Sequence, residues 1–167
     1  MRVLIACGGT GGHINPGLAI ADIIKSKYPD TEFLFAGTPK GMEAKLVPAA
    51  GYRFETIKVA GFQRRISLEN IGRNAKAVAY LITSGRRAKQ IIEGFKPDIA
   101  IGTGGYAAGP VIRKAARMGI PTAIHEQNAY PGVTNKLLSK EVDHVMLTVK
   151  EALNFMDGSK FEHTVTG

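Results

Sequence analysis

The sequence predicts an α/β fold: a Rossmann-like, doubly wound parallel sheet. Three observations lead there. Short apolar runs alternate with helical patterns along the whole chain. The runs are too apolar on both faces for a half-exposed antiparallel sheet and suit strands covered by helices on each side. Two glycine-rich loops also recur in one setting, each after an apolar run and before a helical pattern. That is the edge at which open α/β sheets bind ligands.

The elements follow in order. Arg2–Cys7 reads as a fully buried strand. Asn15–Lys27 places Leu18, Ile20, Ile23 and Ile24 at helical spacing and is broken at Pro29. Glu32–Ala36 is a second strand ended by Gly37, Met42–Ala50 a short helix closed by Gly51, and Arg53–Val59 an alternating third strand. A long helical stretch runs from about Leu68 to Phe95, with candidate breaks at Gly72 and Gly85. Asp98–Ile101 is a fourth strand, followed by a helix over Pro110–Met118. Gly119-Ile120-Pro121 leads into a fifth strand, Thr122–His125; a helix over Val133–Ser139 and a sixth strand, Val142–Val149, follow.

At 167 residues the chain suits one domain with a sizeable core. Its one cysteine, Cys7, ends an apolar run; it is expected to be a small buried residue, in a chain suited to a reducing compartment. No stretch approaches the roughly 18 apolar residues of a membrane span, and Met1–Ile5 lacks the layout of a signal peptide, so a soluble or peripheral protein is expected. The net charge of +8 suits an anionic partner: a phosphorylated ligand, an anionic lipid or a nucleic acid. Eight basic residues against two acidic ones in 63–96 account for +6 of it. Arg73, Lys76, Arg86 and Arg87, with apolar Val78, Leu81 and Ile82 between them, are the candidates for contact with an anionic membrane surface. Aromatic residues are sparse there (Phe62, Tyr80, Phe95) and no RNA or DNA motif is present, so nucleic acid is not the expected partner.

The candidate site is built from three blocks. Gly9-Thr10-Gly11-Gly12-His13 and Gly102-Thr103-Gly104-Gly105-Tyr106 are one loop pattern used twice. Without Cβ atoms the backbone can approach a phosphate, and helix N-termini favour negative charge, so the pair could share one diphosphate. The dinucleotide fingerprint fails at Ile14, and no acid ends the second strand; no P-loop string exists. His13 closes the first loop and is a candidate general base. His125-Glu126-Gln127-Asn128 ends the fifth strand on the same edge. No His, Cys and carboxylate set fits a metal, no Asp-x-Asp pair is present, and no cofactor is expected.

With these residues in view the chain resembles the MurG family, the bacterial N-acetylglucosaminyltransferases that convert lipid I to lipid II. The run from Gly8 to Ala19 resembles the family's opening motif, Gly102–Tyr106 with Gly109-Pro110 its second loop, and His125–Asn128 with Gly132–Lys136 its third block. Met42-Glu43-Ala44 and Leu46-Val47-Pro48 match as well. The resemblance implies the N-terminal, acceptor-binding half of a two-domain GT-B fold. It also implies inverting transfer of N-acetylglucosamine from UDP-GlcNAc to lipid I, in peptidoglycan synthesis at the cytoplasmic face of the bacterial inner membrane. The domain that holds most of UDP-GlcNAc is expected beyond Gly167, so that 1–167 alone would be inactive. Carried over by position, Thr10, Gly11, Gly12 and Asn128 would contact the donor. Gly9, Gly104, Gly105, Tyr106, His125, Gln127 and Asn135 would serve the acceptor and its diphosphate, and His13 would be the base. Glu126 would be either a base or an orienter of His13. Two other readings are weighed: the acceptor subunit of a split lipid-linked transferase, and a non-catalytic anion- or nucleic-acid-binding module.

Overall fold

The computed structural model describes residues 1–59, 83–156 and 161–166. In chain order the elements are β1 (Arg2–Ala6), α1 (Gly11–Lys27), β2 (Glu32–Gly37), α2 (Glu43–Ala49) and β3 (Arg53–Thr56). Helical residues 83–95, here α3, come next. Then follow β4 (Ile99–Gly102), α4 (Ala108–Arg117), β5 (Thr122–Glu126), α5 (Val133–Leu138), β6 (His144–Leu147), a 3₁₀ turn (Lys150–Phe155) and β7 (Glu162–Val165).

Among the described residues the strands form one seven-stranded sheet in the order β3-β2-β1-β4-β5-β6-β7, parallel throughout. The chain moves outward from β1 through β2 to β3, then returns to place β4 on the other side of β1. That reversal is the switch point of a doubly wound sheet and opens a crevice beyond the carboxyl ends of β1 and β4. Their register, with Ala6 opposite Gly102, brings the two glycine loops out side by side.

Alternation along β1 builds both core layers. Val3, Ile5 and Cys7 face α1 and pack with Ile14, Ala21, Phe33, Phe35 and Val47. Leu4 and Ala6 face the other layer, with Ile92, Val111, Ile112 and Ile124. Each large aliphatic side chain buried this way contributes about 1.5–3 kcal/mol. Gly17 lets α1 lie close on the sheet: a Cβ there would already touch Ile5, Phe35 and Thr103 at 3.4–3.5 Å.

The six expected strands are all present in order, and three features differ. β7 is additional; its four residues, Glu-His-Thr-Val, are all exposed on an edge strand and carry no apolar alternation to read. The first helix starts at Gly11 rather than Asn15, because the Thr10 carbonyl captures the amides of both His13 (3.0 Å) and Ile14 (3.1 Å) and winds the glycines into the first turn. The third and sixth strands are shorter than expected at four residues each. Of the long basic stretch only 83–96 is described, and Arg73, Lys76, Val78, Leu81 and Ile82 lie outside the described residues. In the described part the apolar face is core: Ala88, Ile91, Ile92 and Phe95 are buried against the sheet.

Candidate active site

Gly9, in the first loop, turns at φ +92°, after which Thr10 adopts an extended conformation and α1 begins. Thr10 makes no side-chain cap and the first turn of α1 carries no acid, so the helix's own residues place no counter-charge at this positive end. The second loop turns at Gly104 and Gly105, with φ +108° and +83°. Both are backbone conformations that favour glycine.

The two loops interlock. A Cβ on Gly105 would stand 2.1 Å from the Gly8 carbonyl oxygen, and one on Gly104 would stand 2.7 Å from the His13 ring. The Thr103 hydroxyl, fully buried, donates to the His13 carbonyl at 2.6 Å. The imidazole is fixed as well: its Nδ1 lies 3.0 Å from the Gly8 carbonyl. A carbonyl only accepts, so Nδ1 is the donor, and in the neutral ring the lone pair is left on Nε2.

The third block folds around Glu126, which is 2% exposed. Its Oε1 accepts from the Asn128 amide (3.0 Å) and the Asn128 side chain (2.9 Å). Its Oε2 accepts from the Gly132 amide (3.1 Å) and Asn135 Nδ2 (2.9 Å). Gln127 Nε2 reaches the Thr103 carbonyl at 3.0 Å, tying this block to the second loop. The same nitrogen donates to His125 Nδ1 at 2.9 Å. Burial holds the His125 imidazole below its usual value, against the opposing pull of Glu126.

The chain matches the glycosyltransferase family 28 N-terminal domain over residues 3–147. It belongs to this family. The transferase of Acetivibrio thermocellus named UDP-N-acetylglucosamine--N-acetylmuramyl-(pentapeptide) pyrophosphoryl-undecaprenol N-acetylglucosamine transferase is 53% identical over 165 residues, 98% of this chain and 44% of that protein. The protein of the same name from Desulforamulus reducens is 48% identical over the whole chain and again 44% of its own length. This chain therefore spans less than half the length of these curated relatives. Among solved structures, Acinetobacter baumannii MurG superposes with a TM-score of 0.79 at 28% identity, over 99% of this chain and 46% of that one. A UDP-GlcNAc 2-epimerase from Neisseria meningitidis shares the fold at a TM-score of 0.67 and 14% identity.

Within this family-28 domain the sequence-derived residues gather on one edge but divide by direction. Thr10, Gly12, Tyr106 and Asn128 are exposed, Tyr106 at 67%. His13, Gly11, Gly105, His125 and Gln127 are half-buried. Glu126 and Asn135 point inward, and the four donors on Glu126 fill the lone pairs a carboxylate has. No hydrogen bond joins Glu126 to His13 among the described residues; it organises the third block instead. Of the basic residues in α3, Arg86 is exposed. Arg87 donates to Glu55 at 2.5 Å and to the Thr56 carbonyl at 3.1 Å, and Lys89 pairs with Glu93 at 3.5 Å. Among the described residues no helix is long and apolar enough to cross a membrane.

Two contributors carry no role in the sequence reading. Thr103 is visible there only as the variable position between glycines. Glu43 is visible only as part of a matching tripeptide, yet it is fully buried and accepts from the Gly9 amide at 3.1 Å. Its partner lies 34 residues away, a distance no local pattern reports.

Proposed function

We propose that this chain is the acceptor side of an inverting N-acetylglucosaminyltransferase that uses UDP-GlcNAc and a lipid-linked N-acetylmuramyl-pentapeptide diphosphate, with His13 as the base. The observation that carries the reading is the His13 ring: Nδ1 is committed to the Gly8 carbonyl, which leaves Nε2 to accept a proton beside two glycine loops. In the reaction Nε2 takes the proton of the acceptor hydroxyl as its oxygen attacks the anomeric carbon. The new C–O bond forms on the face opposite the departing diphosphate, and UDP leaves with the electron pair of the broken bond. Configuration therefore inverts.

The remaining roles are those that the family resemblance implies for residues on this edge. Thr10, Gly11, Gly12 and Asn128 meet the donor. Gly9, Gly104, Gly105 and Tyr106 meet the acceptor and its diphosphate, whose charge is favoured by loop amides and the start of α1. His125 and Gln127 support that surface, and Glu126 with Asn135 holds the third block in shape. The donor domain is supplied by a second half of the kind the longer relatives contain. The lipid tail of such an acceptor stays in the bilayer, so the basic stretch that includes Arg73, Lys76 and Arg86 faces an anionic membrane surface.

The test is reconstitution. Joined to the C-terminal part of the Acetivibrio thermocellus relative, the chain is expected to transfer GlcNAc to a soluble acceptor analogue with inversion. Alone it is expected to give no turnover. Turnover by the chain alone, at an ordinary enzymatic rate of roughly 1–10³ s⁻¹, contradicts the division of labour.

A further inference from the structure

The Glu43 carboxylate ties the first loop to the residue that follows β2. Oε1 accepts from the Thr38 amide at 2.8 Å and the Thr38 hydroxyl at 2.6 Å; Oε2 accepts from the Gly9 amide. Three glycines make room for it: a Cβ at Gly8, Gly37 or Gly41 would fall 2.7, 2.5 or 2.2 Å from Glu43 atoms. Burying a carboxylate is costly unless it is hydrogen-bonded. Burial works to raise this one, yet the Thr38 hydroxyl and the amides around it hold it below the usual carboxylate value, so the charge is kept.

What sets this carboxylate apart is where the Gly9 amide leads. The Gly9 N–H and the Gly8 C=O belong to one peptide group, and in a trans peptide they point in opposite directions. Glu43 holds the N–H end and His13 Nδ1 holds the C=O end. Carboxylate, peptide and imidazole therefore form one continuous hydrogen-bonded array.

We infer that Glu43 is a positioning residue for His13, acting through the Gly8–Gly9 peptide. The inference rests on the reading of His13 as the base. A negative charge at the N–H end polarises the peptide and makes its carbonyl a stronger acceptor, because hydrogen bonds in a chain reinforce one another. The stronger acceptor holds the Nδ1–H tautomer and keeps the Nε2 lone pair available. It also stabilises the imidazolium formed when Nε2 takes the acceptor's proton. A carboxylate bonded directly to a catalytic histidine does the same work in serine hydrolases; here a peptide group stands between the two.

The test has two arms. In the first, ¹⁵N NMR of the His13 side chain in the 167-residue chain reports the tautomer. The unmutated chain is expected to hold mainly Nδ1–H at neutral pH; a predominance of Nε2–H overturns the inference even if no variant folds. In Glu43→Gln the Nδ1–H to Nε2–H ratio is expected to fall about tenfold, the coupling of a strong charge-assisted contact. Thr38→Val removes one donor from the same carboxylate but spares the Gly9 contact, and should leave the ratio unchanged. A Glu43→Gln chain with a folded amide spectrum and an unchanged ratio overturns the inference. The second arm uses the two-domain chimera. Glu43→Gln is expected to lower kcat by about 10–100-fold with little change in KM, as loss of an orienting partner does. In a His13→Ala background the same change should cost less than about twofold, because residues acting as a unit are not additive. Full additivity overturns the link. An unchanged kcat for His13→Ala alone overturns the base reading, while the tautomer ratio tests the link from Glu43 independently.

Discussion

Replacing Gly105 by alanine measures how tightly the two glycine loops are locked together. Two costs are expected there. Gly105 has φ +83°, where an L-residue carries about 1–2 kcal/mol of strain. The new Cβ would also stand 2.1 Å from the Gly8 carbonyl oxygen and 2.8 Å from its carbon. Those are backbone atoms of the first loop and have no rotamer to escape into, so overpacking adds about 1–3 kcal/mol. Gly119→Ala supplies the control: φ is +73°, but nothing lies within 4 Å of its Cβ. The control should lose only the strain, and Gly105→Ala about 2–5 kcal/mol in all. Urea unfolding followed by circular dichroism gives both numbers, provided the m-values agree. At about 2–4 °C per kcal/mol for a chain of this size, the two should melt several degrees apart. Equal losses, within about 0.5 kcal/mol, would show that the loops do not meet and would refute the geometry that places Gly104 under His13.

Three further outcomes follow. Glu126→Gln sets an NH₂ group against two of the four donors, at about 1–3 kcal/mol for each donor left unpaired; urea unfolding should show a loss of about 2–6 kcal/mol, and a loss below about 1 would deny the inward placement. The Cys7 thiol, pushed up to about 12 by burial and by the nearby Glu43 charge, should resist a thiol reagent at pH 8 in the native chain and react at once in urea; fast native labelling contradicts the buried site. His125 and Glu43 both titrate below their usual values of 6.5 and 4.5 in the fold, so each contributes stability that is present above its usual value and lost as pH falls through the folded one. The urea midpoint should therefore decline in two stages from pH 8 to pH 3, with the lower stage flattened in Glu43→Gln; a midpoint that rises on acidification has the wrong sign.

Much of the fold was legible because buried parallel strands announce themselves. Val3-Leu4-Ile5 and Ile99-Ala100-Ile101 are apolar on both faces since helices cover both. β7 was not legible for the same physical reason in reverse: an exposed edge strand has no burial to encode. The start of α1 was misplaced because glycines read as loop, whereas one carbonyl, that of Thr10, was enough to wind them into helix. At the site, the residue types and their common edge were readable, since strand ends fix where a loop emerges. The direction of each side chain was not. Glu126 and Asn128 are two residues apart in one polar run, yet one is buried and the other exposed, and only the donors gathered around Glu126 decide which. Charge was similarly ambiguous in the described part of the basic stretch, where Arg87 and Arg86 are neighbours but Arg87 is engaged with β3 through Glu55 and Thr56.

The account centres on Nε2 of His13 as the proton acceptor, and one measurement bears on it most directly: steady-state kinetics of His13→Ala in the chimera with a complete donor half. A positioned general base is worth about 10²–10⁴-fold, so kcat should fall by that factor while KM for either substrate stays nearly constant. A kcat unchanged from the parent chimera would contradict the account.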